Sequence, residues 1–135
     1  MKSGSTFEML NCRAYGADTP ISANITVDAA GAGVTISGSL YGNATNLGGT
    51  ITGEGELLVT NGSSGSNNFT ISSVISDKDA SHQMSVKVNK NSSVVVFSGN
   101  NTYTGGTTIV QGTLQTNSAT ALGQGSVLVP VSYTH

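Results

Sequence analysis

The sequence predicts an all-β protein, and three features of its composition support this class. Glycine (18), serine (19), threonine (17) and asparagine (12) make up about half of the 135 residues, while 13 valines and 7 isoleucines supply β-branched side chains. Charged residues are only 9% and aromatic residues 5%. Runs of β-branched residues between Gly, Asn and Ser clusters are typical of short strands joined by turns.

A series of short runs from Ile21 onward predicts strands of three to five residues each. These runs are residues 25–27, 34–37, 50–52, 56–60, 69–72, 84–88, 94–97, 107–110, 113–115 and 126–129. Residues 74–82 predict a polar loop, and residues 119–122 allow a single helical turn that Gly123 would end. Residues 57–62 match the pattern of residues 94–99, which suggests a repeat with an offset of 37 residues.

Two all-β architectures fit this series of strands. A β-sandwich needs hairpins with tight turns, and Asn61-Gly62 is the one Asn-Gly dipeptide available for such a turn. A parallel β-helix instead needs very short strands, Gly, Asn or Ser corners and small side chains in a narrow interior. Residues 107–115 fit a strand, a corner at Gln111-Gly112 and a second strand, with Ile109 and Leu114 pointing inward. We favour the β-helix and keep the sandwich as the alternative.

The charge balance and the cysteine count exclude several classes of partner. Five basic and seven acidic residues leave no basic surface for nucleic acid. Cys12 is the single cysteine, which excludes an intrachain disulfide and a cysteine-based metal site. No apolar run is long enough for a membrane-spanning helix, and the N-terminal residues do not form a signal peptide.

Three small groups of residues are candidates for chemistry or binding, and each has a simpler structural interpretation. His82 with Asp77 and Asp79 suggests a metal or acid–base site, but a solvated loop is favoured. Glu54 and Glu56 resemble a pair of glycosidase carboxylates, but an exposed charged corner is simpler. Two of the four tyrosines, Tyr41 and Tyr103, suit stacking on a sugar ring, but packing at a corner is favoured. We therefore expect no catalytic, cofactor or metal site and no enzymatic activity.

A repeat-like segment near the C-terminal end carries a resemblance to a known family. The residues are Gly99, Asn100, Asn101, Thr102, Tyr103, Thr104, Gly105, Gly106, Thr107, Thr108 and Ile109, followed by Gly112, Thr113 and Leu114. This segment resembles the autotransporter-associated β-strand repeat, also called the passenger-associated transport repeat. The likeness extends over residues 94–129, although Gln111 stands where the family has a glycine.

The resemblance implies a right-handed parallel β-helix in the passenger of an exported surface protein of Gram-negative bacteria. The repeat would assist export through an outer-membrane β-barrel translocator and would form part of a stalk that packs against neighbouring coils. An adhesin-type module that binds glycans or a host surface is the alternative function. The expected localisation is secreted or cell-surface.

The same interpretation divides the chain into four parts. Residues 1–20 are unassigned, residues 21–93 form degenerate repeat coils and residues 94–129 form the recognisable repeat. Residues 130–135 resemble the translation of a transposon-derived sequencing adapter, so we expect this sequence to be an interior piece of a longer protein.

Overall fold

The computed structural model describes residues 1–8, 21–37, 45–60 and 68–130. The structure has no helix within these ranges, and so no helix there that is long and apolar enough to cross a membrane. Cys12, Tyr41, the Asn61-Gly62 dipeptide and the adapter-like residues 131–135 lie outside the described residues. The strands are β1 (Thr6–Glu8), β2 (Ile21–Ser37), β3 (Thr45–Thr60), β4 (Phe69–Ile71), β5 (Val74–Asp77), β6 (Met84–Phe97), β7 (Thr107–Thr116) and β8 (Val127–Leu128).

All eight strands belong to one sheet, and every strand pair among the described residues is parallel. The prediction of an all-β protein is therefore confirmed. The alternative of a β-sandwich is wrong, because sandwiches are built from antiparallel hairpins and no paired strands here run in opposite directions. Parallel neighbours need a long connection between them, and here the chain makes that connection with further strands.

Three columns of neighbouring residues define three ladders of strand pairing. The first ladder is the column Ile21, Leu47, Ile71, Phe97 and Thr116. The second ladder is the column Ile25, Ile51 and Ile75. The third ladder is the column Phe7, Ile36, Val59, Val88 and Ile109.

The chain passes from the first ladder to the second, then to the third, and returns to the first. We call one such passage a winding. Paired residues are between 19 positions apart (Phe97 beside Thr116) and 29 positions apart (Phe7 beside Ile36). Each winding therefore contacts only the winding before it and the winding after it.

The core consists of branched apolar side chains that lie above one another in these columns. Leu47, Ile51, Ile71, Val59 and Val88 are all completely buried. Burial of apolar surface contributes about 25 cal/mol per Å², so these columns are the main source of stability. They explain why the sequence contains so many β-branched residues and so few aromatic ones.

Several predictions about individual elements differ from the structure. The loop predicted for residues 74–82 is wrong in its first half, where β5 forms and Ile75 is completely buried. The 37-residue offset is also wrong, since residues 57–60 pair with residues 86–89 and not with residues 94–97. Strand β1 was not predicted at all.

Many of the predicted short strands are joined into longer ones. β2, β3 and β6 contain 17, 16 and 14 residues, because each strand continues through a corner. The register of pairing shifts at the corners of β2 and β6, and β3 changes its partner from β5 to β6. The predicted corner at Gln111-Gly112 lies inside β7, where Gly112 has φ 94°. β6 likewise runs through residues 93 and 94, and its pairing with β7 shifts register between Asn89 and Val94.

Candidate functional site

Within the recognisable repeat, a segment without strand structure joins β6 to β7. We call residues 98–106 the connecting segment. It lies beside β5 on one side and beside residues 117–126 on the other, where it continues the second ladder without forming a regular strand. Most of the residues that carry the family resemblance lie in this segment.

Asn101 occupies the position in the second ladder that isoleucine occupies in the three windings before it. Its side chain is 1% exposed. The backbone N–H of Ile75 donates to Asn101 Oδ1 (2.8 Å), and Asn101 Nδ2 donates to the carbonyl of Ala121 (2.6 Å). One amide side chain thus takes the place of a strand backbone, accepting from the winding before it and donating to the winding after it.

Tyr103 lies inside the molecule and not on its surface. The side chain is completely buried, and its hydroxyl is 2.6 Å from the hydroxyl of Thr107, which is also buried. Burial raises the pKa of Tyr103 above its ordinary value, and the hydrogen bond with Thr107 opposes that effect. A tyrosine in this environment packs the interior, so the structure leaves no ring face of Tyr103 for stacking on a sugar.

Asp77 connects the end of β5 to the connecting segment. Its Oδ1 accepts from the backbone N–H groups of Met84 (2.7 Å) and Thr104 (3.2 Å), and its Oδ2 accepts from the Thr104 hydroxyl (2.7 Å). Residues 77 and 104 belong to adjacent windings. The carboxylate therefore holds two windings together, a role that the sequence did not suggest.

Two glycines of the repeat lie where the connecting segment approaches the previous winding most closely. A Cβ on Gly99 would be 1.9 Å from the carbonyl oxygen of Ser73, and one on Gly105 would be 2.5 Å from that of Met84. Any side chain would push the windings apart at these points. These contacts explain why the repeat needs glycine there.

The other residues of the repeat lie at the surface or at the ends of the segment. Asn100 and Thr102 are exposed, and Asn100 Oδ1 accepts from the hydroxyl of Thr120 (3.3 Å). The carbonyl of Gly106 accepts from the N–H of Val86 (2.9 Å). Thr108, Ile109, Gly112, Thr113 and Leu114 belong to β7, with Ile109 and Leu114 partly buried.

Three of the charged residues proposed as alternative sites, Glu54, Asp79 and His82, form one cluster with Lys78 beside the turn between β5 and β6. Lys78 Nζ is 3.2 Å from Glu54 Oε1, and His82 Nδ1 is 2.7 Å from Asp79 Oδ1. The hydrogen bond from His82 lowers the pKa of Asp79 below its ordinary value. The turn is exposed, as expected, but Asp77 points away to Thr104 and is not part of the cluster.

The two glutamates have separate partners. Glu54 pairs with Lys78, and Glu56 Oε2 is 3.0 Å from Lys87 Nζ. The expectation of an exposed corner is wrong for Glu54, which is only 9% exposed. Within the described ranges, no three His, Cys, Asp or Glu side chains are arranged to hold a metal ion.

Sequence reasoning missed two proximities that the winding brings about. Glu54 and Lys78 are 24 positions apart, which equals the offset between Ile51 and Ile75 in the second ladder. Asp77 and Thr104 are 27 positions apart, again close to one winding. A search for opposite or hydrogen-bonding residues at these offsets would have found both pairs, once the winding length was known.

The arrangement around the connecting segment can crosslink windings, and its buried polar side chains are all hydrogen-bonded. Among the described residues, no buried side-chain nitrogen or oxygen lacks a hydrogen-bond partner. Asn101, Tyr103 and Thr107 face inward, and none of them presents a reactive group to solvent. The segment therefore has the properties of a structural element.

Comparison with known proteins identifies this segment. Neither the comparison with curated proteins nor the comparison with solved structures gave a match. The family model described as passenger-associated-transport-repeat matches residues 91–116. The match begins within β6, contains the whole connecting segment and ends with β7. Residues 91–116 are therefore similar to the passenger-associated transport repeat, also called the autotransporter-associated β-strand repeat.

Proposed function

We propose that the described residues form a right-handed parallel β-helix, and that this β-helix is a structural segment of the passenger of an exported bacterial surface protein. The observation that carries the proposal is that the transport repeat coincides with the segment that crosslinks consecutive windings. In this role the chain extends a stalk and catalyses no reaction. Its partners are neighbouring coils and, during export, an outer-membrane translocator.

The pairing of strands supports a role in export. Each winding pairs only with its neighbours, so folding can proceed from one end without contacts between distant parts of the sequence. A chain that emerges gradually from a pore can fold in this order. Asn101 and Asp77 would then fasten each new winding to the one already folded.

A display assay tests the role in export. The 135-residue chain is placed between a secretory signal peptide and a translocator β-barrel, with an epitope tag, and the surface fraction is measured by flow cytometry before and after external protease. We expect Asn101→Ala to lower the surface fraction, because it removes the two side-chain hydrogen bonds that Asn101 makes to the windings on either side. Asn100→Ala, on an exposed neighbour, is the matched control and should display normally. Equal display of the two variants would contradict the proposal.

The handedness and the coil architecture have their own test. A crystal structure of the chain should show the three ladders wound in a right-handed sense. A left-handed course would contradict the fold proposal while leaving the display assay to decide the role in export.

A second candidate function, adhesion to glycans, rests on the exposed face of the second ladder. Asn24 and Thr50 form one column on that face, and their side chains are 3.1 Å apart; Thr26 and Thr52 form another. These uncharged hydroxyl and amide groups suit a neutral sugar. Binding to a glycan array that is lost in Thr50→Ala, but kept in Thr113→Ala on β7, would support this function. Absence of binding by the unaltered protein would exclude it for the glycans tested.

A further inference from the structure

The apolar columns fix which side of each strand faces inward, but they do not fix how far one winding is shifted along the next. Because inward and outward side chains alternate, a shift of one residue would turn the apolar side chains outward. A shift of two residues keeps the alternation. In the third ladder it would place Ile109 beside Val86 instead of Val88, and both valines are at most 1% exposed.

The first ladder tolerates the same shift on the other side of the connecting segment. There a shift of two residues would move Phe97 from its place beside Ile71 to a place beside Phe69. Both partners are apolar and buried, so the column would remain apolar and buried. The regular strands before and after the connecting segment are therefore compatible with more than one register.

The carboxamide of Asn101 fits one register only. Its Oδ1 accepts from the backbone N–H of Ile75 (2.8 Å), and both residues are buried. After the shift of two residues, Tyr103 would stand where Asn101 stands, and a phenol ring carries no acceptor close to its own backbone. The N–H of Ile75 would then lose its partner, which is costly for a buried backbone group.

The carboxylate of Asp77 makes a second contact of this kind. Its Oδ2 accepts from the hydroxyl of Thr104 (2.7 Å), and its Oδ1 accepts from the backbone N–H of Thr104 (3.2 Å). The same shift would put Gly106 in the place of Thr104, and glycine has no hydroxyl. The shorter of the two hydrogen bonds that Asp77 makes to the next winding would be lost.

A close contact at Gly99 excludes the shifted registers by size. A Cβ on Gly99 would be 1.9 Å from the carbonyl oxygen of Ser73. The shift would bring Asn101 to this point, and a shift of two residues in the opposite direction would bring Phe97. Either side chain would push the two windings apart.

We propose that Asn101 and Asp77 set the register in which the winding of the connecting segment pairs with the winding before it, while Gly99 excludes the neighbouring registers. The apolar columns supply most of the stability, and these polar contacts select one arrangement from several that bury the same apolar residues. In coiled coils a single asparagine in the apolar seam fixes register in the same way. This role follows from the contacts between two windings and holds whether or not the chain is exported.

Competition between two disulfides tests this role. In a Cys12→Ser background, Thr108→Cys is combined with both Lys87→Cys and Ser85→Cys. Lys87 is the partner of Thr108 in the observed register, and Ser85 becomes its partner after the shift. Directly paired residues lie close enough for a disulfide, whereas diagonal neighbours about 7–8 Å apart are too distant.

The protein is refolded from urea under oxidising conditions, and mass spectrometry of proteolytic fragments gives the ratio of the shifted to the observed disulfide. We expect Asn101→Ala and Asp77→Ala each to raise this ratio by about tenfold, since each removes a contact that only the observed register makes.

Two control variants separate register from stability. Asn100→Ala changes an exposed residue of the same segment and should leave the ratio unchanged. Ile51→Ala should weaken the fold without changing the ratio, because Ile51 lies two windings away from Asn101. An unchanged ratio in Asn101→Ala and Asp77→Ala, or no shifted disulfide in any variant, would overturn the proposal. An equal rise in Ile51→Ala would also overturn it, because the shift would then follow from lost stability alone.

Discussion

The second ladder is built in two ways within one molecule. In its first three windings the inward position is occupied by Ile25, Ile51 and Ile75, and regular strands pair on both sides of Ile51. In the next winding the same position is occupied by Asn101, and the chain there forms no strand. Both versions are buried, so the difference is one of chemistry and not of exposure.

The comparison shows that a buried side chain can make the hydrogen bonds between windings that a strand backbone makes elsewhere. Where the strand is regular, the N–H and carbonyl groups pair along the ladder and the side chain supplies only apolar contact. In the connecting segment Thr102 still donates to the carbonyl of Ile75 (2.9 Å), but the N–H of Ile75 has the Asn101 amide as its partner. A buried backbone group without a partner is costly, so the amide is essential there.

Replacement of Asn101 by leucine should lower the free energy of unfolding more than any other change to the second ladder. Leucine restores the apolar character of the column but leaves the N–H of Ile75 and the carbonyl of Ala121 unpaired. We expect a loss of about 4 kcal/mol in the free energy of unfolding, since each buried unpaired group costs about 1–3 kcal/mol. Urea denaturation followed by circular dichroism measures it.

The matched control is the neighbouring asparagine. Asn100 is exposed and its one side-chain bond, from Thr120, is long at 3.3 Å. Asn100→Leu should change the free energy of unfolding by less than about 0.5 kcal/mol. If Asn101→Leu were as stable as Asn100→Leu, the amide would not be acting as a backbone substitute.

The apolar version of the ladder is tested by Ile51→Ala. Ile51 is completely buried between Ile25 and Ile75, so truncation leaves a cavity with windings on both sides. We expect a loss of about 3 kcal/mol in the free energy of unfolding. Thr50→Ala, on the exposed side of the same strand, should cost little. A small effect of Ile51→Ala would mean that the windings collapse to fill the space.

Sequence reasoning recovered the apolar version of the ladder far better than the polar one. Residues 25–27 and 50–52 were predicted as strands because β-branched side chains alternate there with polar ones. Residues 74–77 were missed because Asp77, Lys78 and Asp79 made the stretch resemble a loop. Asp77 is in fact a crosslink to Thr104, a role visible only when the two windings are side by side.

The residues next to Asn101 in the sequence did not predict that its side chain is buried either. Asparagine is common at corners and turns, where it is normally exposed. Its burial depends on the register of three windings, which no single segment of sequence encodes. The family resemblance identified the segment correctly, while the chemistry of its residues became clear only from the structure.

Gly123 lies beside Tyr103, on the winding that follows the connecting segment. It has φ 66°, and an added Cβ would be 2.4 Å from the carbonyl oxygen of Tyr103 and about 3 Å from its ring. Gly123→Ala should therefore cost about 2 kcal/mol, from backbone strain and from the displaced tyrosine together. Thermal or urea denaturation measures this loss.

Gly4 provides the control for Gly123. Its φ is 78°, but an added Cβ would meet nothing within 4 Å. Gly4→Ala should thus cost only about 1 kcal/mol, the strain of the backbone conformation alone. Equal losses in the two variants would show that Tyr103 moves aside freely and is not held by its contacts.

Tyr103→Phe separates the contribution of the buried hydroxyl from that of the buried ring. At neutral pH the loss of the hydrogen bond with Thr107 should lower the free energy of unfolding by about 1 kcal/mol.

Burial raises the pKa of Tyr103 in the folded protein, so above the ordinary pKa of 10.0 the unfolded chain loses this proton before the folded chain does. The stability advantage of the unaltered protein is then complete below about pH 10 and shrinks as the pH rises further. Urea denaturation of both proteins between about pH 9 and 11 measures the difference, and the remaining tyrosines and lysines cancel because both proteins contain them. A difference that stayed constant over this range would show that the hydroxyl ionises as easily in the folded protein as in the unfolded chain, and hence that the interior beside the connecting segment is open to water.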